Sequence, residues 1–87
     1  MPRVFIPPQL RALTGGGEVI EAEGRTVRQV IDDLEVRHPG LRERLCEGDD
    51  LKPGLSVAVD GNVSGLGLFQ KVREESEVHF LPAIGGG

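Results

Sequence analysis

The sequence contains a single cysteine, Cys46. One thiol cannot close an intramolecular disulfide. The two histidines, His38 and His79, sit on different segments, so the chain has no Cys/His cluster with the spacing of a structural zinc site. It also lacks a run of about 18 apolar residues able to cross a bilayer, and its first residues lack the basic-then-apolar order of a signal peptide. There is no excess of positive charge. Ten Lys and Arg stand against 14 Asp and Glu, for a net charge of −4. Nucleic acid is thus disfavoured as a partner, whereas a protein with a basic docking face would suit. A reducing, cytoplasmic setting with no membrane partner is expected. Finally, 87 residues allow one marginally stable domain with little interior to spare for a deep substrate cavity. That points to a carrier, adaptor or subunit rather than a self-sufficient enzyme.

The elements that are present read in order. Val4-Phe5-Ile6 is a short apolar run stopped by Pro7-Pro8, consistent with a first strand. Gly15-Gly16-Gly17 marks a turn, and Glu18 to Glu23 reads as a second strand with Ile20 and Ala22 inward. Thr26 is a good N-cap and Gln29 completes a capping box. Val27, Val30, Ile31 and Leu34 then recur on one helical face until Pro39-Gly40. Leu41 and Leu45 suit a second short helical piece. Leu55, Val57 and Val59 alternate with Ser56, Ala58 and Asp60 as in a half-buried strand, and Asp60-Gly61 signals a tight turn. The glycine-broken stretch from Val63 to Val72 suggests a short strand and a crossing loop. Glu77 to Leu81 reads as the last strand, with Val78 and Phe80 on one face.

This order predicts an α+β fold, with a mixed sheet of four to five strands and one main helix packed on one face. The ubiquitin-like β-grasp fits it. The expected core is Ile6, Ile20, Val30, Ile31, Leu34, Val57, Val59, Val78 and Phe80. The expected division is a folded domain over 1–81 and a flexible, unpaired glycine tail over 82–87.

Catalytic constellations are missing. No residue stands out as catalytic, no metal ligands cluster, and Gly65-Leu66-Gly67 is too short for a phosphate loop. Cys46 has no evident basic cluster to activate it and reads as a half-buried apolar residue beside Leu45. Glu74, Glu75 and Glu77 read as a solvated acidic run. The ending Pro82-Ala83-Ile84-Gly85-Gly86-Gly87 is different, because glycines contribute no side chain to packing. They make a thin backbone able to thread a channel, with Gly85 and Gly86 passing a partner's wall and Gly87 presenting its carboxylate. A carboxylate resists nucleophilic attack, so chemistry at Gly87 needs prior activation, most simply as an acyl-adenylate made with ATP. No segment of this chain is suited to bind ATP, so the activating enzyme must be another protein.

The run Glu77-Val78-His79-Phe80-Leu81-Pro82-Ala83-Ile84-Gly85-Gly86-Gly87 resembles the final strand and tail of the MoaD/ThiS family of prokaryotic sulfur carriers. Leu10 to Gly16, Thr26-Val27-Arg28, Arg37 to Leu41 and Leu55 to Gly61 are similar to further segments of that family, closest to its cysteine-biosynthesis (CysO-like) branch. The resemblance implies a cycle. An E1-like enzyme adenylates Gly87, a sulfur donor or sulfurtransferase converts it to a thiocarboxylate, and an acceptor enzyme receives the sulfur. That acceptor would be a cysteine synthase of the pyridoxal-phosphate type or a molybdopterin-synthase large subunit; a thiamine branch also exists. No cofactor would belong to this chain, and ATP would be used by the activating partner. Two other readings remain open: a modifier joined to lysines through Gly87, and a β-grasp interaction module with an inert tail. Leu66, Phe69 and Leu81, apolar with no evident core role, are the candidate docking surface.

Overall fold

The computed structural model describes residues 1–82. Strand β1 (Arg3–Phe5) is followed by a 3-10 helix (Pro8–Thr14) and strand β2 (Val19–Glu21). Helices α1 (Val27–Arg37) and α2 (Leu41–Leu45) come next, then a two-residue hairpin of β3 (Cys46–Glu47) and β4 (Asp50–Leu51). Strands β5 (Leu55–Val59) and β6 (Asn62–Val63), a 3-10 turn (Gly67–Phe69) and strand β7 (Glu77–Pro82) complete the chain. The main sheet has the order β2-β1-β7-β5-β6. β1 and β7 are parallel and the remaining neighbours antiparallel. A mixed five-stranded sheet with one main helix across it is the ubiquitin-like β-grasp.

Helix α1 begins where its sequence signals place it. Thr26 Oγ1 accepts from the Gln29 N–H at 3.2 Å. The reciprocal bond falls one residue earlier than a regular capping box would put it, with Gln29 Oε1 accepting from the Arg25 N–H at 2.9 Å. Val27, Val30, Ile31 and Leu34 are all buried. They meet Val4, Val57, Val59, Val78 and Phe80 from the inner face of the sheet. Of the expected core, only Ile20 is half-buried, since β2 is an edge strand covered on one side. Leu10, Leu41, Leu45, Leu68 and Val72 join the core from the connecting segments. Leu41 and Leu45 do so at the helical spacing noted above, whereas Leu10, Leu68 and Val72 have no local period to reveal it.

Two connecting elements lie outside the sequence reading, and one expectation needs correction. The connection from β1 to β2 is a 3-10 helix rather than an open loop, and it brings Leu10 into the core. The stretch after α2 forms the β3–β4 hairpin, for which two-residue strands leave no periodicity to read. Pro82, expected in the unpaired tail, is the last residue of β7 and stands opposite Leu55. Proline supplies no N–H to the ladder, so it is tolerated at a strand end where that donor is not needed.

Candidate functional site

β7 is the strand from which the chain leaves toward Gly87. It is held on both sides, by β1 through Arg3↔Glu77, Val4↔Val78 and Phe5↔His79, and by β5 from Val59↔Val78 to Leu55↔Pro82. The first half of β7 is paired on both sides, and its last residues, Phe80 to Pro82, are held by β5. Gly85, Gly86 and Gly87, and the division proposed at 82–87, lie outside the described residues apart from Pro82 itself.

The three candidate docking residues are all solvent-accessible: Leu66 61%, Phe69 63% and Leu81 40% exposed. They do not share one surface. Leu66 and Phe69 lie on one turn, closed by the Phe69 N–H donating to the Leu66 carbonyl at 2.9 Å. That turn packs against α1 and β4, and the segment after it is tied to the start of α1 by Val27 N–H to Gln70 O at 3.0 Å and Val72 N–H to Arg25 O at 2.9 Å. It belongs to the helix layer. Leu81 lies on the opposite side, because Val78 and Phe80 of the same strand face the core and side chains alternate along a strand.

The outward face of the sheet holds residues that the sequence did not single out. Phe5 and His79, opposite each other in register, stack with ring centroids 4.0 Å apart and planes 10° from parallel. Val19 and Val63 flank them, 45% and 61% exposed. Nothing local marks these residues as neighbours, since Phe5 and His79 meet only through the long-range pairing of β1 with β7.

Cys46 is half-buried and packs against the core. Burial pushes its thiol up from the ordinary value; Arg42 and Arg28 nearby pull the other way and are outweighed. Basic neighbours that the sequence did not reveal are therefore present, yet they are committed elsewhere. Arg28 pairs with Asp49 at 3.3 Å and Arg42 with Asp32. Of the acidic run, Glu77 accepts from Arg3 at 2.7 Å, while Glu74, 4.0 Å from the Met1 amine, and Glu75 are exposed to solvent as expected. Among the described residues no group of three His, Cys, Asp or Glu side chains could hold a metal ion. No described helix is long and apolar enough to cross a membrane. An open groove of about 1000 Å3 runs between Met1 and α1 past Glu23, Asp32 and Asp33, and its lining offers no nucleophile with an adjacent base.

A small β-grasp domain with no catalytic cluster among its described residues, built around a central last strand, defines the class as a ubiquitin-like protein. The chain belongs to the ThiS family, whose model matches residues 4–87. It is 38% identical to the sulfur carrier protein CysO of Mycobacterium tuberculosis over 92 residues, covering 97% of this chain and 96% of that protein. Its fold matches a chain of the Amycolatopsis orientalis BexX/CysO complex with a TM-score of 0.89 at 39% identity, covering 100% of both chains. The small archaeal modifier protein 1 of Methanosarcina acetivorans matches with a TM-score of 0.75 at 23% identity, covering 99% of this chain and 95% of that one, a likeness of fold alone.

Proposed function

We propose that this chain is a sulfur carrier that works through the carboxylate of Gly87 and is a co-substrate of partner enzymes rather than an enzyme. A carboxylate oxygen of Gly87 attacks the α-phosphorus of ATP on an E1-like enzyme, and pyrophosphate leaves. Sulfide from a donor then displaces AMP from the acyl carbon, leaving a glycyl thiocarboxylate; a sulfurtransferase persulfide would instead give an acyl disulfide, which a thiol reductant cleaves to the same thiocarboxylate. On an acceptor enzyme that sulfur attacks the acceptor; cleavage of the acyl–sulfur product by water restores the carboxylate. Cysteine formation is the preferred destination, on the strength of the likeness to CysO proteins over nearly the whole chain. A cytoplasmic location is part of the same reading.

The single observation that carries the proposal is the family match through residue 87 on a domain whose last described strand ends at Pro82, five positions before Gly87 in the sequence. Gly85 and Gly86 are assigned the role of bare backbone threading a partner's channel. The test is intact mass after incubation with the cognate E1-like enzyme, ATP and a sulfur source. Wild-type protein should exchange one oxygen for sulfur, and protein amidated at Gly87 should not. Deleting Gly87 withdraws the carboxylate by about 3.3–3.6 Å and should abolish transfer while leaving the melting temperature unchanged. Thiocarboxylate on the amidated form, or Gly87–lysine conjugates in place of thiocarboxylate, would sink the proposal.

A further inference from the structure

An activated Gly87 is an acylating agent, and the fold decides which of the chain's own nucleophiles lie near it. The strong nucleophiles are few: the thiol of Cys46, the side-chain amines of Lys52 and Lys71, and the Met1 amine. Cys46 is half-buried and packs against the core. Met1 and Lys71 lie toward the Glu77 end of the sheet. The Met1 amine is 4.0 Å from Glu74. Lys71 follows Gln70, whose side-chain amide donates to the Asn62 carbonyl at 2.9 Å, and Asn62 stands across β5 from Val78. β7 runs from Glu77 to Pro82, so its length carries the tail about 17 Å away from that end.

Lys52 lies at the other end. It is exposed, and among the described residues no carboxylate pairs with it. Its carbonyl accepts from the Leu55 N–H at 3.0 Å, and Leu55 stands opposite Pro82. These two links hold the Cα atoms of Lys52 and Pro82 within about 13 Å of each other.

We propose that Lys52 is an internal acceptor for the Gly87 acyl group, closing a ring through an isopeptide bond when no sulfur nucleophile is at hand; the proposal rests on the sulfur-carrier reading above. Lys52 Nζ attacks the acyl carbon of the Gly87 adenylate. The nitrogen–carbon bond forms as the carbon–oxygen bond to AMP breaks, AMP leaves, and the proton lost by nitrogen goes to water. The product is one water lighter than the starting chain. It has no carboxylate at Gly87, so it takes up no sulfur until the new amide is cleaved. Reach allows the closure. The five residues after Pro82 extend up to about 18 Å, before the lysine side chain adds its own length, and glycine accepts the turns a ring demands. A short linker holds its two ends at about millimolar effective concentration, roughly a hundredfold above the amines of other copies in a 10 μM solution. Sulfide and Lys52 compete for one carbon, so the ring accumulates where sulfide is scarce.

The test uses the full chain prepared as a thioester at Gly87, which carries an activated acyl group without any enzyme. Intact mass should show loss of the thiol and a monomer one water lighter than the free chain, and peptide mapping should place the new bond between Gly87 and Lys52. Lys52→Arg should lower the yield of that species by about tenfold or more, whereas Lys71→Arg should leave it within about twofold. Both variants keep the charge. Undiminished closure in Lys52→Arg, a bond at Lys71 or Met1, covalent dimers in place of the monomer, or hydrolysis alone would each overturn the proposal. A parallel incubation of the free chain with the E1-like enzyme and ATP separates the two readings. With sulfide, wild type and Lys52→Arg should both gain sulfur; without it, only wild type should lose one water. Sulfur gained with sulfide but no ring without it would refute the Lys52 acceptor alone. A thioester that closes on Lys52 in a chain that the enzyme never converts would refute the Gly87 reading alone.

Discussion

Asp60 and Glu77 hold each other twice: the Asp60 N–H donates to the Glu77 carbonyl at 2.9 Å, and the Glu77 N–H donates to Asp60 Oδ1 at 2.9 Å. Asp60 Oδ2 also accepts from the buried Ser76 hydroxyl at 2.7 Å, and Ser76 Oγ accepts from the Arg73 N–H at 2.8 Å. Asp60 sits at φ 52° and Gly61 at φ 81° in the β5–β6 turn. The turn is thereby clamped to the first residue of β7, the strand that leads to the tail.

Asp60→Ala is expected to lower the melting temperature more than Asp60→Asn. Alanine removes both acceptors and tolerates positive φ poorly, whereas asparagine keeps one acceptor and adopts that conformation more readily. A thermal melt of the alanine variant that overlays wild type would show the clamp to be idle.

Stability should fall with acid through two carboxylates. Glu35 is held below its ordinary value of 4.5 by the N–H groups of Arg42 and Gly40, and Asp60 below 3.8 by the Glu77 N–H and the Ser76 hydroxyl. A lowered carboxylate contributes stability that is fully present above its unfolded value and is lost as pH drops through the folded value. The contribution of this pair should be complete at neutral pH and decline below 4.5 for Glu35 and 3.8 for Asp60. Urea titrations at successive pH values should show a shallower acid decline in the double variant Glu35→Gln, Asp60→Asn; an unchanged slope would contradict the assignment.

Gly24 is needed for space. A Cβ there would lie 2.6 Å from the Val30 nitrogen and 2.9 Å from the Gln29 carbonyl carbon, both helix backbone with no room to yield. Gly24→Ala should cost about 1–3 kcal/mol, as overpacking does. Gly65→Ala, with nothing within 4 Å of the new atom, should stay within about 0.5 kcal/mol. Denaturant midpoints of the two variants measure the difference, and equal midpoints would contradict the close approach.

Val57→Asp should unfold the domain while Arg28→Ala leaves it nearly unchanged. Val57 is 1% exposed and faces the core opposite Phe80, where an unpaired charge costs several kcal/mol. Arg28 makes one exposed ion pair, with Asp49 at 3.3 Å, worth at most about 1 kcal/mol. Circular dichroism and melting of both variants decide it.

The sequence by itself determined the parts governed by neighbours within a few residues. Thr26 begins α1, Val27 to Leu34 give its buried stripe, Val57 and Val59 give the inward phase of β5, and Asp60-Gly61 gives the turn. Capping and periodicity act over two to eight positions, so these features survive without any knowledge of the fold. What only the tertiary structure decided is which distant residues meet. Parallel pairing of β1 with β7 joins segments more than seventy positions apart and sets Phe5 on His79 and Arg3 on Glu77. The packing of the Gly67–Phe69 turn against α1 and β4 likewise decides that Leu66 and Phe69 lie in the layer opposite Leu81. The reason is that a strand's alternation specifies two faces without naming its neighbours. Those are chosen when the whole chain closes its core around Ile31, Leu34 and Val78, and the outward row is assembled as a consequence of that closure.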